Sequence, residues 1–349
     1  MLVFMKYATL ILLFAIALTL GATTRLQAQP RSSTPVQETD DEFKVTTYKK
    51  FVDNREPYPA VAYQAAKDYM AKYGKEDDQY TRYLRTWITA YEEDLRNVRV
   101  AAEKADREQQ LLGSFTQKDF TKAYGMAKQV LADNPNNLKV LIALGYEGVL
   151  ASEARNESFN NDAADYARRA VQLIETSFGG RGVGPNGSGP QDNFDWSPFK
   201  NKEDVLASLH YAQGFYALKP KPEAAVPEFI KVAQINSDRR NAPSTYYYLA
   251  LAYQAGPYKR LSDDYGKRFL NQPESAESKA ALEGVNKVVD KMIDAYARAV
   301  ALARKDPQQA AAMTTWRTRL AEFYKFRHDG SDVGLNELIA GVLATPLPQ

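Results

Sequence analysis

Pairs of small residues recur along this chain at helical spacing and constrain its fold more than any other feature. The pairs are Ala62 and Ala66, Ala123 and Ala127, Ala163 and Ala167, Ala225 and Phe229, and Ala295 and Ala299. An apolar or aromatic residue follows each pair three positions later: Tyr69, Val130, Ala170, Val232 and Leu302. Residues four apart share one helix face, and alanine there lets a neighbouring helix approach closely. The pattern therefore predicts stacked helix pairs.

Residues 119–148 form the clearest unit. Asp119 is a predicted N-cap for a first helix, and Pro135, inside the run Asp-Asn-Pro-Asn-Asn, ends that helix and starts the next. Leu141, Leu144 and Gly145 then line the second helix, with Gly145 permitting close packing. Two further segments are predicted to be helical, a single long helix over 80–113 and a terminal amphipathic helix over 332–343. Alternating strand patterns are nearly missing from residue 46 onward, so an all-α fold is expected.

These residues resemble the tetratricopeptide repeat family of helix–turn–helix arrays. The matching positions are Ala123, Ala127, Val130, Pro135, Leu141, Leu144 and Gly145, with weaker matches around Tyr246 to Tyr253 and Ala295 to Pro307. The gaps between the pairs exceed the regular period of about 34 residues, so inserted loops or lengthened helices are expected. The resemblance implies an α-solenoid of such repeats over residues 46–349, with a concave groove that binds other proteins.

The N-terminus carries the pattern of an export signal. Lys6 precedes an apolar run over residues 7–22, and residues 26–28 end in a small residue suited to cleavage. We therefore expect a signal peptide over 1–28, starting at Met1 or Met5, and a periplasmic or extracellular protein. The alternative is an uncleaved signal anchor, which is consistent with the position of Arg25 after the apolar run. Residues 29–45 are polar and read as a disordered leader.

Charge and composition limit the kinds of partner and site that this chain can have. Cleavage after residue 28 removes Lys6 and Arg25 and lowers the formal charge from +2 to zero, which disfavours nucleic acid and anionic membrane surfaces. The chain has no cysteine, so disulfides, thiolate metal sites and cysteine nucleophiles are excluded. His210 and His328 are the only histidines, and neither lies in a metal-binding or catalytic pattern. We expect no catalytic residue, metal or cofactor, and interpret both histidines as structural.

The segment 177–202 is the most unusual insert. Six glycines and two prolines over 179–190 are incompatible with a helix or strand interior, and the context does not fit a nucleotide-binding loop. Phe194, Trp196 and Phe199 follow directly. Their rings either anchor the loop on the helices, the favoured interpretation, or form a platform for a sugar or peptide.

A run of three tyrosines, Tyr246 to Tyr248, gives a second candidate contact surface. Successive helical residues point about 100° apart, so all three cannot face the core. Tyr247 and Tyr248 are therefore candidate ligand contacts. The alternative for both is packing at the interface between repeats. The segment 256–283 is charged and loop-like in composition. Its interleaved basic and aromatic residues fit a surface helix, whose lysines and arginines extend to solvent, better than a nucleic-acid site.

The sequence predicts a non-enzymatic exported scaffold that binds a protein or peptide. The alternative is an envelope protein that binds a glycan or small ligand through the aromatic loop at 192–199. Partner identity, repeat number and oligomeric state are not determined by the sequence.

Overall fold

A computed structural model describes residues 39–178 and 194–348, and within these ranges the chain is helical, with no β-strand. The predicted all-α class is confirmed. The α-helices are α1 (Asp40–Asn54), α2 (Pro59–Tyr73), α3 (Gln79–Thr116), α4 (Phe120–Asp133), α5 (Leu138–Glu153), α6 (Asn160–Phe178), α7 (Lys202–Ala217), α8 (Pro222–Gln234), α9 (Pro243–Tyr253), α10 (Lys259–Phe269), α11 (Ala276–Ala303), α12 (Ala310–Arg327) and α13 (Leu335–Gly341). A π-helical turn, Gln254–Tyr258, joins α9 to α10.

Contacts divide the chain into two compact units, with the boundary between Arg96 and Asn97 inside α3. In the first unit, α1 packs on α2 around Phe51, Tyr69 and Leu84, which are fully buried or nearly so. In the second unit, consecutive helices pack on one another from α4 through α9. The α9 helix then packs on α11, and α11 packs on α12. The single domain expected over 46–349 stays a prediction.

The first helix begins earlier than the sequence suggested. Residues 40–45 were expected in a disordered leader, but α1 starts at Asp40. The Thr39 hydroxyl accepts the backbone N–H of Glu42 at 3.3 Å, and the Glu42 carboxylate accepts the backbone N–H of Thr39 at 3.2 Å. This capping box, with three acidic residues in the first turn, stabilises the helix start. The predicted signal peptide and the rest of the leader lie outside the described residues.

The small-residue pairs occupy the helix contacts that they predicted. All nine alanines of the small-residue pairs are fully buried, and so is Phe229. Gly145 and Gly148 on α5 face Ala167 and Ala163 on α6. A Cβ added to Gly145 would lie 2.7 Å from the Ala167 backbone, and one added to Gly148 would lie 2.6 Å from the Ala163 Cβ. Of the residues that follow the pairs, only Leu302 is half-buried rather than buried.

Several local predictions are confirmed. The Asp119 side chain caps α4 by accepting the Lys122 N–H at 3.0 Å. The long helix expected over 80–113 is α3. The terminal helix, expected from 332, begins instead at Leu335, because Gly334 adopts a left-handed conformation with φ of 87°.

The loop-like description of 256–283 was wrong, whereas the surface helix expected for its basic and aromatic residues is confirmed as α10. This segment contains most of the π-helical turn, all of α10 and the start of α11. Two ion pairs at i,i+4 spacing support α10, Lys259 with Asp263 at 2.8 Å and Arg268 with Asp264 at 3.3 Å. The charged residues that gave this segment its loop-like composition form the solvent-exposed face of a helix.

Candidate functional site

A cavity of about 940 Å³ in the second unit is lined mainly by residues of α7, α9, α11 and α12. We call it the aromatic groove, defined by six wall residues: Phe215, Tyr216, Tyr247, Tyr248, Tyr296 and Trp316. Its volume is in the range of pockets that hold drug-sized ligands or several side chains of a peptide. Rings of this kind provide large contact area, and the phenol and indole groups add hydrogen-bonding capacity.

The tyrosine run on α9 supplies one wall of the groove. Tyr246 is buried, whereas Tyr247 and Tyr248 are half-buried and line the cavity. This division follows from the rotation between successive helical residues. The Tyr247 ring stacks on Trp316, with ring centroids 4.9 Å apart, and Tyr248 meets Phe215 edge to face at 5.5 Å. The neighbouring rings therefore fix both tyrosines at the groove surface.

The π-helical turn forms part of the rim. Pro257 has no backbone N–H and cannot make the regular helical hydrogen bond, so the turn widens between α9 and α10. Gln254, at the start of this turn, lines the groove and its side-chain oxygen accepts the Tyr296 hydroxyl at 3.2 Å. The turn thus places an amide beside the aromatic wall.

The charged groups at the rim of the groove are paired. Lys219 pairs with Glu157 at 2.5 Å, Lys259 with Asp263 at 2.8 Å, and Arg319 with Glu322 at 2.6 Å. All of these side chains are solvent-exposed, so the pairs are weak and can exchange partners. The rim therefore offers adaptable polar contacts around an aromatic centre.

Burial raises the pKa values of three of the groove phenols above that of an ordinary tyrosine. It raises the pKa of Tyr296 to about 12 and also raises the pKa values of Tyr216 and Tyr248. These groups are neutral at physiological pH. Tyr216 already donates to the Gly145 carbonyl at 2.9 Å, and that bond links the groove wall to the α5–α6 contact.

The loop residues predicted with the tyrosines lie elsewhere. Phe194, Trp196 and Phe199 are half-buried and pack against the core of the second unit, as the anchoring interpretation expected. Phe194 and Trp196 lie with centroids 4.5 Å apart, and Phe199 meets Tyr146 edge to face at 5.5 Å. These loop residues line a smaller cavity of about 380 Å³ that shares no residue with the aromatic groove. The glycine-rich stretch, 179–193, lies outside the described residues.

Sequence reasoning missed much of the groove wall. Phe215 lies on α7, far along the chain from Tyr296 on α11 and Trp316 on α12. Tyr296 directly follows Ala295 of a small-residue pair, which was the one available signal for its position near a helix contact.

Both histidines contact neighbouring side chains. His210 is buried, and its Nδ1 lies 2.6 Å from Oε2 of Glu228. Burial alone would raise the pKa of Glu228. The hydrogen bond from His210 and the nearby positive charges together outweigh burial, so the pKa of Glu228 is lowered. His328 stacks on Tyr324 at 4.0 Å. Among the residues 39–178 and 194–348, no group of three potential metal-ligating side chains comes together.

No helix in the described part of the chain is both long and apolar enough to cross a bilayer. Comparisons with protein-family models, with curated proteins and with solved structures gave no significant match.

Proposed function

We propose that this chain is an exported, non-enzymatic helical-repeat scaffold of the tetratricopeptide type that binds a segment of a partner protein in its aromatic groove. The observation that carries the proposal is the groove itself: six aromatic residues surround a cavity of about 940 Å³. Pockets of this size and lining are the default binding sites of folded proteins.

Packing between successive helices supports the repeat architecture. From α4 to α9 each helix packs on the next, and buried small residues mark the contacts. The α5–α6 contact is close enough that no Cβ fits at Gly145 without movement of the Ala167 backbone. Stacked helix pairs of this kind build extended binding surfaces.

The chemistry of the groove favours a peptide segment with apolar or aromatic side chains. The walls are rings, and the neutral Tyr296 and Tyr248 phenols and the Gln254 amide suit peptide carbonyl and N–H groups. The rim cations Lys219, Lys259 and Arg319 are each paired with an acid, which disfavours a polyanion such as nucleic acid.

Peptide display on the immobilised chain tests this proposal. A peptide selected on the unmodified protein is titrated against Thr315→Arg and Thr314→Arg. Both threonines are exposed on α12, but only Thr315 lines the groove. Arginine at 315 fills the groove, whereas arginine at 314 adds the same charge outside it. We expect at least a tenfold loss of affinity for Thr315→Arg alone; equal affinities for the two variants would remove the groove from the proposal.

Export is a separate part of the proposal and rests on the residues 1–28. Expression with this segment in a bacterial host, followed by sequencing of the N-terminus of the envelope fraction, is expected to give Gln29 as the first residue. Retention of the intact segment in the membrane fraction would favour the uncleaved signal anchor instead.

The glycan-binding alternative stays a prediction. Titration of neutral oligosaccharides against the unmodified chain and Trp196→Ala tests it, because Trp196 lines the cavity beneath the aromatic loop. Binding that is lost in the variant would support this alternative over the scaffold function.

A further inference from the structure

A second cavity in the same unit, which we call the loop pocket, has the features of a site for a small ligand. It measures about 380 Å³ and lies between the end of α3, one face of α5 and the loop over 194–199. It shares no lining residue with the aromatic groove, so the inference below does not depend on the proposed peptide site.

One face of α5 provides the wall opposite the loop. The lining positions Lys139, Ile142, Ala143, Tyr146 and Glu147 follow the i, i+3, i+4, i+7, i+8 pattern of a single helix face. An apolar strip formed by Ile142 and Ala143 therefore separates the lysine at one end from the glutamate at the other. Over eight residues this separation is about 12 Å along the helix axis.

Glu147 is the unusual group in this wall. Its side chain is half-buried, and no described residue makes an ion pair or hydrogen bond with its carboxylate. Burial alone accounts for the raised pKa of Glu147. A partly buried carboxylate without a partner is unfavourable for the fold, and a cation that enters the pocket would remove this penalty.

The other carboxylate of the loop pocket is already satisfied. Asp195 accepts the backbone N–H of Ser197 at 3.0 Å. Hydrogen bonds from Ser197, together with the charge of Lys139, lower the pKa of Asp195. Asp195 therefore already has hydrogen-bond donors, whereas the Glu147 carboxylate has none among the described residues.

Aromatic rings surround the same space. Phe194, Trp196 and Phe199 line the pocket from the loop, and Tyr146 lines it from α5. Ring faces attract cations, most strongly when the cation is shielded from water. The neighbourhood already contains such a contact, because the Arg239 guanidinium lies 5.3 Å from the Tyr146 ring centroid and donates a hydrogen bond to its hydroxyl.

We propose that the loop pocket binds an organic ammonium group, with Glu147 as its counter-ion and the rings of Trp196 and Phe199 against its methyl or methylene groups. The cavity is far larger than a bare metal ion requires, and its walls supply rings rather than a set of oxygen ligands. A small alkylammonium compound or the side chain of a lysine matches this combination of charge, size and apolar surface.

Isothermal titration of the purified chain with choline and with its neutral isostere 3,3-dimethylbutan-1-ol tests the charge requirement without any substitution. The two compounds have nearly the same shape, so a pocket that recognises the cation should bind choline at least about tenfold more tightly. Titration with n-butylammonium and butan-1-ol covers primary ammonium groups in the same way. Equal affinities within both pairs, or no binding of either cation at tens of millimolar, would overturn the proposal.

The variant Glu147→Gln keeps the shape of the side chain and removes its charge. We expect it to bind the cation at least about tenfold more weakly, because it lacks the counter-ion. Glu153→Gln is the matched control, since Glu153 is exposed on the same helix outside the pocket. Unchanged cation binding in Glu147→Gln, or binding of neutral oligosaccharides alone at this pocket, would contradict the proposal; thermal unfolding of both variants verifies that they are folded.

Discussion

At the scale of single residues, glycines with opposite surroundings test the account of helix packing. Gly145 on α5 lies so close to α6 that an added Cβ would be 2.7 Å from the Ala167 backbone. Gly125 lies within α4, and an added Cβ there meets nothing within 4 Å. The same substitution should therefore have opposite effects at the two positions.

We predict that Gly145→Ala lowers the free energy of unfolding by about 1–3 kcal/mol, because the methyl group forces α5 and α6 apart. Gly125→Ala should raise it by about 0.5–1 kcal/mol, because alanine restricts the unfolded chain and favours a helix. Urea unfolding followed by circular dichroism measures both. A stabilised Gly145→Ala would show that the two helices are not in close contact.

The sequence predicted this level of structure well. Alanines at fixed offsets identified buried positions such as Ala163 and Ala167, since packing between neighbouring helices depends on local spacing. Leu302 departs from the pattern and is half-buried, because periodicity does not specify how far a neighbouring helix extends over each position.

At the scale of elements, a buried arginine on α11 helps to hold the C-terminal segment, which also packs on α11. The Arg298 guanidinium pairs with Asp294 at 2.7 Å and donates to the carbonyl oxygens of Thr345 and Pro346 at 2.9 and 3.0 Å. Burial raises the pKa of Asp294, and Arg298 opposes that shift. Arg298 thus satisfies a buried acid and two backbone carbonyls at once.

We predict that Arg298→Ala lowers the free energy of unfolding by about 3–5 kcal/mol, because it leaves the Asp294 carboxylate buried without a partner. Arg304→Ala, at an exposed position just after the same helix, should change it by less than about 0.5 kcal/mol. Denaturant unfolding of the two variants provides the comparison. Equal small effects would mean that Arg298 does not hold the C-terminal segment.

Element boundaries show where sequence reasoning succeeds and where it fails. Asp119 was predicted correctly as a helix cap because capping depends on a side chain and a backbone three residues away. A surface helix was expected near α10, but its bounds were not, because its charged residues resemble a loop unless their i,i+4 pairing is recognised. The π-helical turn at Gln254–Tyr258 was missed as well, since it depends on Pro257 and on packing of Gly256 against Glu223.

At the scale of the whole molecule, buried tyrosines make the folded state less stable as the pH becomes alkaline. Burial raises the pKa values of Tyr124, Tyr211 and Tyr216 above that of an ordinary phenol, so the folded state retains these protons after the unfolded state releases them. The stability they contribute is fully present below about pH 10, the ordinary pKa, and is lost as the pH rises beyond it.

We predict that the urea midpoint is nearly constant between pH 8 and 9 and falls steeply above about pH 10. Solvent-exposed phenols should ionise at about pH 10 in the folded chain, whereas the tyrosinate absorbance of the buried phenols near 295 nm should appear together with the loss of helical circular dichroism. Full ionisation of the tyrosines near pH 10 in a chain that stays helical would contradict the assigned burial.

The aromatic groove could not be assembled from the sequence. Tyr247 and Tyr248 were identified from local periodicity, but Trp316 and Phe215 join them only through ring contacts made from helices that do not adjoin α9 in the sequence. Phe194, Trp196 and Phe199 were grouped with them as candidate contacts, although they line a different cavity. Local patterns identify surfaces on helices, whereas a binding site depends on which surfaces meet.

The affinity of a display-selected peptide for Thr315→Arg and Thr314→Arg tests the central claim most directly. The scaffold account predicts that Thr315→Arg binds at least about tenfold more weakly than the unmodified chain, a loss of about 1.4 kcal/mol or more, while Thr314→Arg binds as the unmodified chain does. Both variants should keep the same thermal transition, because both positions are exposed. Equal binding by the two variants, or the absence of any selected peptide, would contradict a peptide site in the aromatic groove.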